Sequence, residues 1–162
     1  MSETEFIIEP GRQDIVMSRV FDAPRETVFR AVTDPELIPR WWGPHRLATR
    51  VDIMEVRPGG RWRFVNIERD GREHGFRGVY HDVVEPERIV QTWEYEGTPQ
   101  DVALETVTLH EEDGRTRYVA RSVHSTVEAR DAIVRAGGPE GGAQSMDRLA
   151  AVLADMLAGH RN

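Results

Sequence analysis

The sequence predicts an α+β domain in which a curved antiparallel sheet of six or seven strands wraps around a long C-terminal helix. Three observations lead to this prediction. Between residues 47 and 124, alternating segments are separated by turn residues about every 8–12 positions, as in a meander. A passage with two helical segments and a tryptophan pair precedes them. After residue 124 the apolar period changes from two to 3.6, which indicates helix.

Residues 1–13 are polar and are predicted to be irregular or weakly extended. Seven segments then alternate between apolar and polar residues, which is typical of half-buried strands. Turn-forming pairs such as Asp70-Gly71 and Asp113-Gly114 separate them. The predicted strands are residues 14–21, 47–56, 61–67, 74–84, 88–96, 102–111 and 115–124.

Two short helices are predicted between the first and second strands. Asp22 suits the N-cap of the first helix, and Pro24 fits its first turn. Asp34-Pro35 restarts a second helix, and Gly43-Pro44 ends the passage. In the pair Trp41-Trp42, neighbouring side chains on a helix point about 100° apart. We therefore expect one to anchor the short helix to the sheet and the other to line a cavity opening, although core packing alone would also explain both.

Two further helices are predicted at the C-terminus. Thr126 can cap a helix over 127–136, which Gly137-Gly138 ends. Pro139 opens a helix that runs to about residue 158. One of its faces is apolar and spans about three turns. That face consists of Met146, Leu149, Ala150, Leu153, Met156 and Leu157.

The composition of the chain limits the classes of function that it can have. A length of 162 residues suits one domain, 1–162, with a core that needs no disulfides. The chain contains no cysteine, and its N-terminus lacks the pattern of a signal peptide, so we expect a cytoplasmic location. All 21 basic residues are arginine, and the net charge is −7. An acidic domain without a basic stripe is not expected to bind nucleic acid, and its short apolar runs predict no membrane insertion.

Several sequence segments, in order, resemble one protein family. They are FDAP at 21–24, TDPELIPRWWGP at 33–44, RPGGRWRF at 57–64, GVYHDVVEPERIVQTWEYEG at 78–97, LETVTLHEEDGRTR at 104–117, EARDAIVRAG at 128–137 and GGAQSMDRLAAVLA at 141–154. The chain resembles the helix-grip fold of the START-like or SRPBCC superfamily. Within it, the chain is similar to the C-terminal domain of the activator of the heat-shock-protein-90 ATPase. This resemblance implies a ligand-holding or chaperone-associated domain.

Strand register predicts an aromatic inward face with a few polar groups. Because Arg61 and Arg63 should face solvent, Trp62 and Phe64 should face the helix. An aromatic lining with sparse polar groups is typical of small-molecule sites, although a filled aromatic core has the same pattern. The candidate ligand-binding residues are Trp41, Trp42, Trp62, Phe64, Phe76, Tyr80, Gln91, Trp93, Tyr118, His124, Gly142, Met146 and Leu149. Relatives carry a bulky residue where this chain has Gly141-Gly142, so we expect a wider opening there.

Three functions remain open at this point. The first is non-catalytic binding of a small hydrophobic or amphipathic molecule. The alternative is a chaperone-associated protein-interaction module, as the family implies. The third is an enzyme like the polyketide cyclases and aromatases, with His124, Tyr118 and Gln91 as acid–base groups. Histidine spacing predicts no metal site, and no motif implies a cofactor. The sequence leaves a homodimer open.

Overall fold

An eight-stranded antiparallel sheet and a long C-terminal helix dominate the structure, a computed structural model that describes residues 3–159. The strands are β1 Glu5–Ile7, β2 Asp14–Phe21, β3 Ala48–Met54, β4 Arg61–Ile67, β5 Glu73–Val84, β6 Arg88–Tyr95, β7 Val102–Glu112 and β8 Arg115–Val123. The helices are α1 Arg25–Thr33, α2 Ile38–Trp41, α3 Val127–Arg135 and α4 Gly138–Gly159. This is the predicted helix-grip architecture.

The sheet is open, and its two N-terminal strands, β1 and β2, lie at one edge beside the meander. Its order is β1-β2-β8-β7-β6-β5-β4-β3. The prediction of six or seven strands was one short, because Glu5–Ile7 lies in the segment predicted to be irregular or weakly extended and was not counted as a strand. This three-residue strand pairs with Val16–Ser18 of β2 at the sheet edge. Such a short edge strand is specified by its pairing partner more than by its own sequence.

The two short helices differ in detail from the prediction. Pro24, not Asp22, occupies the N-cap of α1, and Asp22 instead accepts a hydrogen bond from Arg115 at 2.7 Å. After α1 the chain makes a turn at Asp34, whose carboxylate accepts from the Glu36 amide at 2.9 Å. Helix α2 therefore begins only at Ile38.

Helix α3 has the predicted cap. The Thr126 hydroxyl accepts a hydrogen bond from the Ala129 amide at 3.0 Å, which satisfies one of the free donors at the helix start.

Helix α4 lies against the concave side of the sheet. Asp147 on this helix pairs with the buried Arg19 of β2 at 2.5 Å. Leu149 and Leu153 are almost fully buried, at 0% and 2% exposure. They join the core formed by α1, α2 and the inward side chains of the sheet. As predicted, Trp62 and Phe64 face this core while Arg61 is exposed.

Arginine–carboxylate pairs cover the convex side of the sheet. Arg63 of β4 bonds Glu96 through two nitrogens at 2.8 Å each. It also contacts Asp52 of β3, which in turn bonds Arg50. Carboxylates on this face thus have cationic partners that favour their charged form.

Within residues 3–159, no helix is long and apolar enough to cross a membrane.

Candidate ligand-binding cavity

A cavity of about 860 Å³ separates the concave face of the sheet from the start of α4. Strands β5 to β8 and β2 form its floor, and residues 136–146 form its roof. The segment after α2, from Trp42 to Leu47, closes one side. Most of the lining is apolar.

All but two of the predicted site residues line this cavity. Those that do are Trp41, Trp42, Phe64, Phe76, Tyr80, Gln91, Trp93, Tyr118, His124, Gly142 and Met146. Trp62 does not, since its indole lies across β5 and donates a hydrogen bond to the Thr92 carbonyl at 3.1 Å. Glycine at position 78 allows this approach, because a Cβ there would lie 2.5 Å from Trp62 Nε1. Leu149 lies deeper in the core, one turn along α4 from the lining residue Met146.

The two adjacent tryptophans have different contacts. Trp41 is 5% exposed, and its indole donates to the Ala31 carbonyl at 3.0 Å, which fixes α2 to α1. Trp42 is half-buried and meets Phe64 and Phe76 edge-on, each with ring centroids 5.2 Å apart. It also lies 6.3 Å from Trp62. Trp42 therefore ties the segment after α2 to the aromatic part of the sheet.

Polar side chains of α4 hold this same segment over the cavity. The Ser145 hydroxyl donates to the Trp41 carbonyl at 2.9 Å and accepts from the Gly43 amide at 3.2 Å. Gln144 accepts from the His45 amide at 3.0 Å. Arg148 donates to the carbonyl of Gly43 at 3.0 Å. Hydrogen bonds from α4 thus position the segment that closes this side of the cavity.

A row of polar side chains crosses the apolar floor. Tyr80, Gln91, Glu105 and Ser122 occupy paired positions on the four neighbouring strands β5, β6, β7 and β8. We call these four residues the polar row. Gln91 Nε2 donates to Glu105 Oε1 at 3.1 Å, and Ser122 Oγ donates to Glu105 Oε2 at 3.1 Å. The next row of the floor is apolar, with Ile89, Val107 and Ala120.

The Glu105 carboxyl lies within the protein, and among residues 3–159 its hydrogen-bond partners are the neutral side chains of Gln91 and Ser122. The surface that it exposes faces the cavity. Burial raises the pKa of Glu105 above its ordinary value, and the hydrogen bonds from Ser122 and Gln91 oppose this rise. Burial also raises the pKa of Tyr118, with a further contribution from the Glu105 charge. The cavity floor is a region where charge is poorly solvated.

His124 lies at the end of β8, where it is 5% exposed. Its ring meets Trp93 edge-on, with centroids 6.4 Å apart. Burial, and then the charge of Arg130, lower the pKa of His124, so the imidazole is neutral at pH 7.

In residues 3–159, no cluster of three or more His, Cys, Asp or Glu side chains could hold a metal ion.

Glu105 was not among the predicted site residues. In β7, the inward positions are Ala103, Glu105, Val107 and Leu109, while Leu104 is 48% exposed on the convex side. Apolar residues occur on both faces of this strand, so its own sequence does not predict which face is inward. The neighbouring strand could have assigned the inward face. Because Gln91 pairs with Glu105, the two side chains lie on the same face of the sheet.

Two glycines of α4 lie in the roof of the cavity. Both Gly141 and Gly142 line the cavity. A Cβ at Gly141 would meet no atom within 4 Å, whereas one at Gly142 would lie 3.2 Å from Met17 Sδ. The roof is therefore thin at both positions, and at Gly142 it lies in close contact with β2.

Comparisons with known proteins agree with this architecture. A protein from Rhodobacter sphaeroides has a similar structure, with a TM-score of 0.86 and 25% identity, over 94% of this chain and 99% of that one. A protein from Arthrobacter aurescens has a TM-score of 0.87 and 22% identity, over 93% and 91%. CalU16 from Micromonospora echinospora has a TM-score of 0.62 and 21% identity, over 98% and 88%. No curated protein sequence matches significantly.

A family model gives the assignment. Residues 22–154 match the model described as activator of Hsp90 ATPase homolog 1-like protein. This range runs from the residue after β2 into the second half of α4, and so contains nearly every wall of the cavity. The chain therefore belongs to the activator of Hsp90 ATPase homolog 1-like family, within the SRPBCC type of fold.

Proposed function

We propose that this protein binds a small hydrophobic or amphipathic molecule in the cavity beneath α4, without catalysing a reaction on it. The observation that carries the proposal is the cavity itself. Its volume of about 860 Å³ falls within the range of roughly 300–1,000 Å³ that ligand sites occupy. Its lining is aromatic and aliphatic, with a few convergent polar groups.

The apolar surface of the cavity would supply most of the binding free energy. Covering such surface with an apolar ligand stabilises the complex by roughly 25 cal/mol per Å² removed from water. Rings such as Trp42, Phe76 and Trp93 provide this area with little loss of side-chain entropy, because they are already packed against one another. The polar row would then orient the ligand rather than supply most of its affinity.

The experiment is a titration with N-phenyl-1-naphthylamine, a neutral apolar dye that fluoresces in apolar sites. We expect saturable binding to the wild-type protein and much weaker binding to Gly142→Trp, whose indole would occupy the cavity opening. Gly159→Trp is the matched control, since a Cβ at Gly159 meets no atom within 4 Å and that glycine lies at the far end of the same helix. Gly159→Trp should bind the dye like the wild type.

Because Gly142 is close to Met17, a second variant guards against misfolding. Gly141→Trp introduces the same ring where space is open, and circular dichroism should show both variants folded. Wild-type protein that binds no dye would contradict the proposal. Equal binding by wild type, Gly141→Trp and Gly142→Trp would place the binding site elsewhere.

A second candidate function is a protein-interaction module with a chaperone partner, and one observation favours it. Leu104 and Val79 are 48% and 44% exposed on the convex side, where Thr92 lies between them. Val102 is nearby and 38% exposed. Exposed apolar residues that are neighbours can mark a protein contact. Under this alternative, Leu104→Asp would weaken binding of the partner and leave dye binding unchanged.

The cytoplasmic location is also part of the proposal. It is supported by the absence of cysteine from the 162-residue sequence, which fits a reducing compartment.

A further inference from the structure

Glu105 differs from the carboxylates on the outside of the sheet. On the convex face, Glu96 and Asp52 pair with Arg63, and Glu94 pairs with Arg77. Within the part of the chain that the structure describes, no arginine or histidine nitrogen lies within 4.0 Å of the Glu105 carboxylate. Arg46 also lines the cavity, but it is exposed at the rim, where its Nη1 lies 2.7 Å from Glu68.

A lone carboxylate inside an apolar cavity is costly unless a partner compensates it. Removing a charge from water is unfavourable without pairing, and buried charges in proteins are normally paired or ligand-bound. The two hydrogen bonds that Glu105 accepts come from neutral groups, so they satisfy lone pairs without neutralising the charge. A carboxyl in this position either keeps its proton or gains a cationic partner, and no described side chain supplies that cation.

The acceptors around Glu105 also fit a particular kind of cation. Both carboxylate oxygens retain lone pairs, and Gln91 Oε1 accepts no hydrogen bond from any described residue. Ser122 Oγ donates to Glu105 and keeps its own lone pairs free. A protonated primary amine carries three N–H donors and no acceptor. These three side chains present matching oxygens on one face of the cavity floor.

We propose that the ligand of this cavity is an apolar molecule bearing a protonated amine, held by Glu105 together with Gln91 and Ser122. This inference rests on the proposed ligand-binding function and specifies its ligand class. The apolar part of the ligand would lie along Ile89, Val107 and Ala120, the next row of the floor. The ammonium group would supply the charge that the protein itself does not place beside Glu105.

The test compares three competitors with one alkyl chain and different head groups. Dodecylammonium, dodecanol and dodecanoate are each used, below their aggregation concentrations, to displace N-phenyl-1-naphthylamine from the wild-type protein at pH 7. We expect dodecylammonium to bind at least about tenfold more tightly than dodecanol, and dodecanoate to bind most weakly. In Glu105→Gln the difference between amine and alcohol should disappear, while dodecanol affinity is retained.

A matched control separates this site from the overall negative charge of the protein. Glu112→Gln removes one carboxylate from the exposed end of the same strand and should keep the preference for the amine. Equal affinity of the wild type for amine and alcohol would overturn the inference, as would an amine preference that survives in Glu105→Gln. If Glu105→Gln does not fold, the wild-type ranking is repeated at high ionic strength, where attraction to distant surface charges is screened, and loss of the amine preference there would overturn the inference. Failure of the dye to bind at all would instead contradict the proposed function.

Discussion

Trp42 is the residue whose removal should reveal most about the aromatic side of the cavity. Three rings meet it edge-on, with interplanar angles of 79°, 70° and 67° to Phe64, Phe76 and Trp62. Such pairs contribute about 0.5–1.5 kcal/mol each beyond burial of area. Replacing a buried tryptophan with alanine typically costs about 3–5 kcal/mol. Because Trp42 is only half-buried, we expect Trp42→Ala to lower the free energy of unfolding by about 3 kcal/mol.

The assay is equilibrium unfolding in urea, followed by far-UV circular dichroism and analysed by linear extrapolation. Trp42→Phe, which keeps a ring at this position, should lose clearly less stability than Trp42→Ala. Ile7→Ala is the control, since Ile7 is 57% exposed and should change stability by less than about 0.5 kcal/mol. If Trp42→Ala lost less than about 1 kcal/mol, the three ring contacts would not stabilise the fold as the structure indicates.

Three further changes test other parts of the structure. Leu149→Ala should lower stability by about 2–5 kcal/mol, because this side chain is fully buried, and a loss below about 1 kcal/mol would contradict the assigned core. Ser145→Ala should cost about 1–3 kcal/mol by leaving the Trp41 carbonyl without its donor, as measured by the same unfolding assay. Glu105→Gln should be more stable than wild type in alkaline solution and lose this advantage in acid. The reason is that the raised pKa of Glu105 gives the folded wild type stability at low pH that is lost as pH rises through the folded pKa. Each unit of pKa elevation corresponds to about 1.4 kcal/mol, and an advantage independent of pH would refute the assignment of a buried charge.

The sequence alone predicts correctly the elements whose alternation of apolar and polar residues repeats over many positions. In β8, Arg117 and Arg121 face outward, so the alternation placed Tyr118 and Ala120 inside, as the structure shows. The apolar stripe of α4 was equally clear, because Leu149 and Leu153 recur at helical spacing. In both elements one face is buried and the other is solvated, so the spacing of the apolar residues identifies the buried face.

Other features depend on partners far away in the sequence. Strand β1 has three residues and forms because β2 is available to pair with it. The start of α2 at Ile38 depends on the turn at Asp34. The position of Glu105 depends on its pairing with Gln91 across the sheet, while its own strand carries apolar residues on both faces. Such features cannot be read from local periodicity.

The position of a bound apolar molecule tests most directly whether the cavity is the binding site. Intermolecular nuclear Overhauser effects between protonated dodecylammonium and methyl-labelled protein would report this. We expect contacts from the alkyl chain to the buried methyl groups of Ile89, Val107 and Ala120 on the cavity floor. Contacts confined to Leu104 and Val79 on the convex face, with none to the floor, would contradict it.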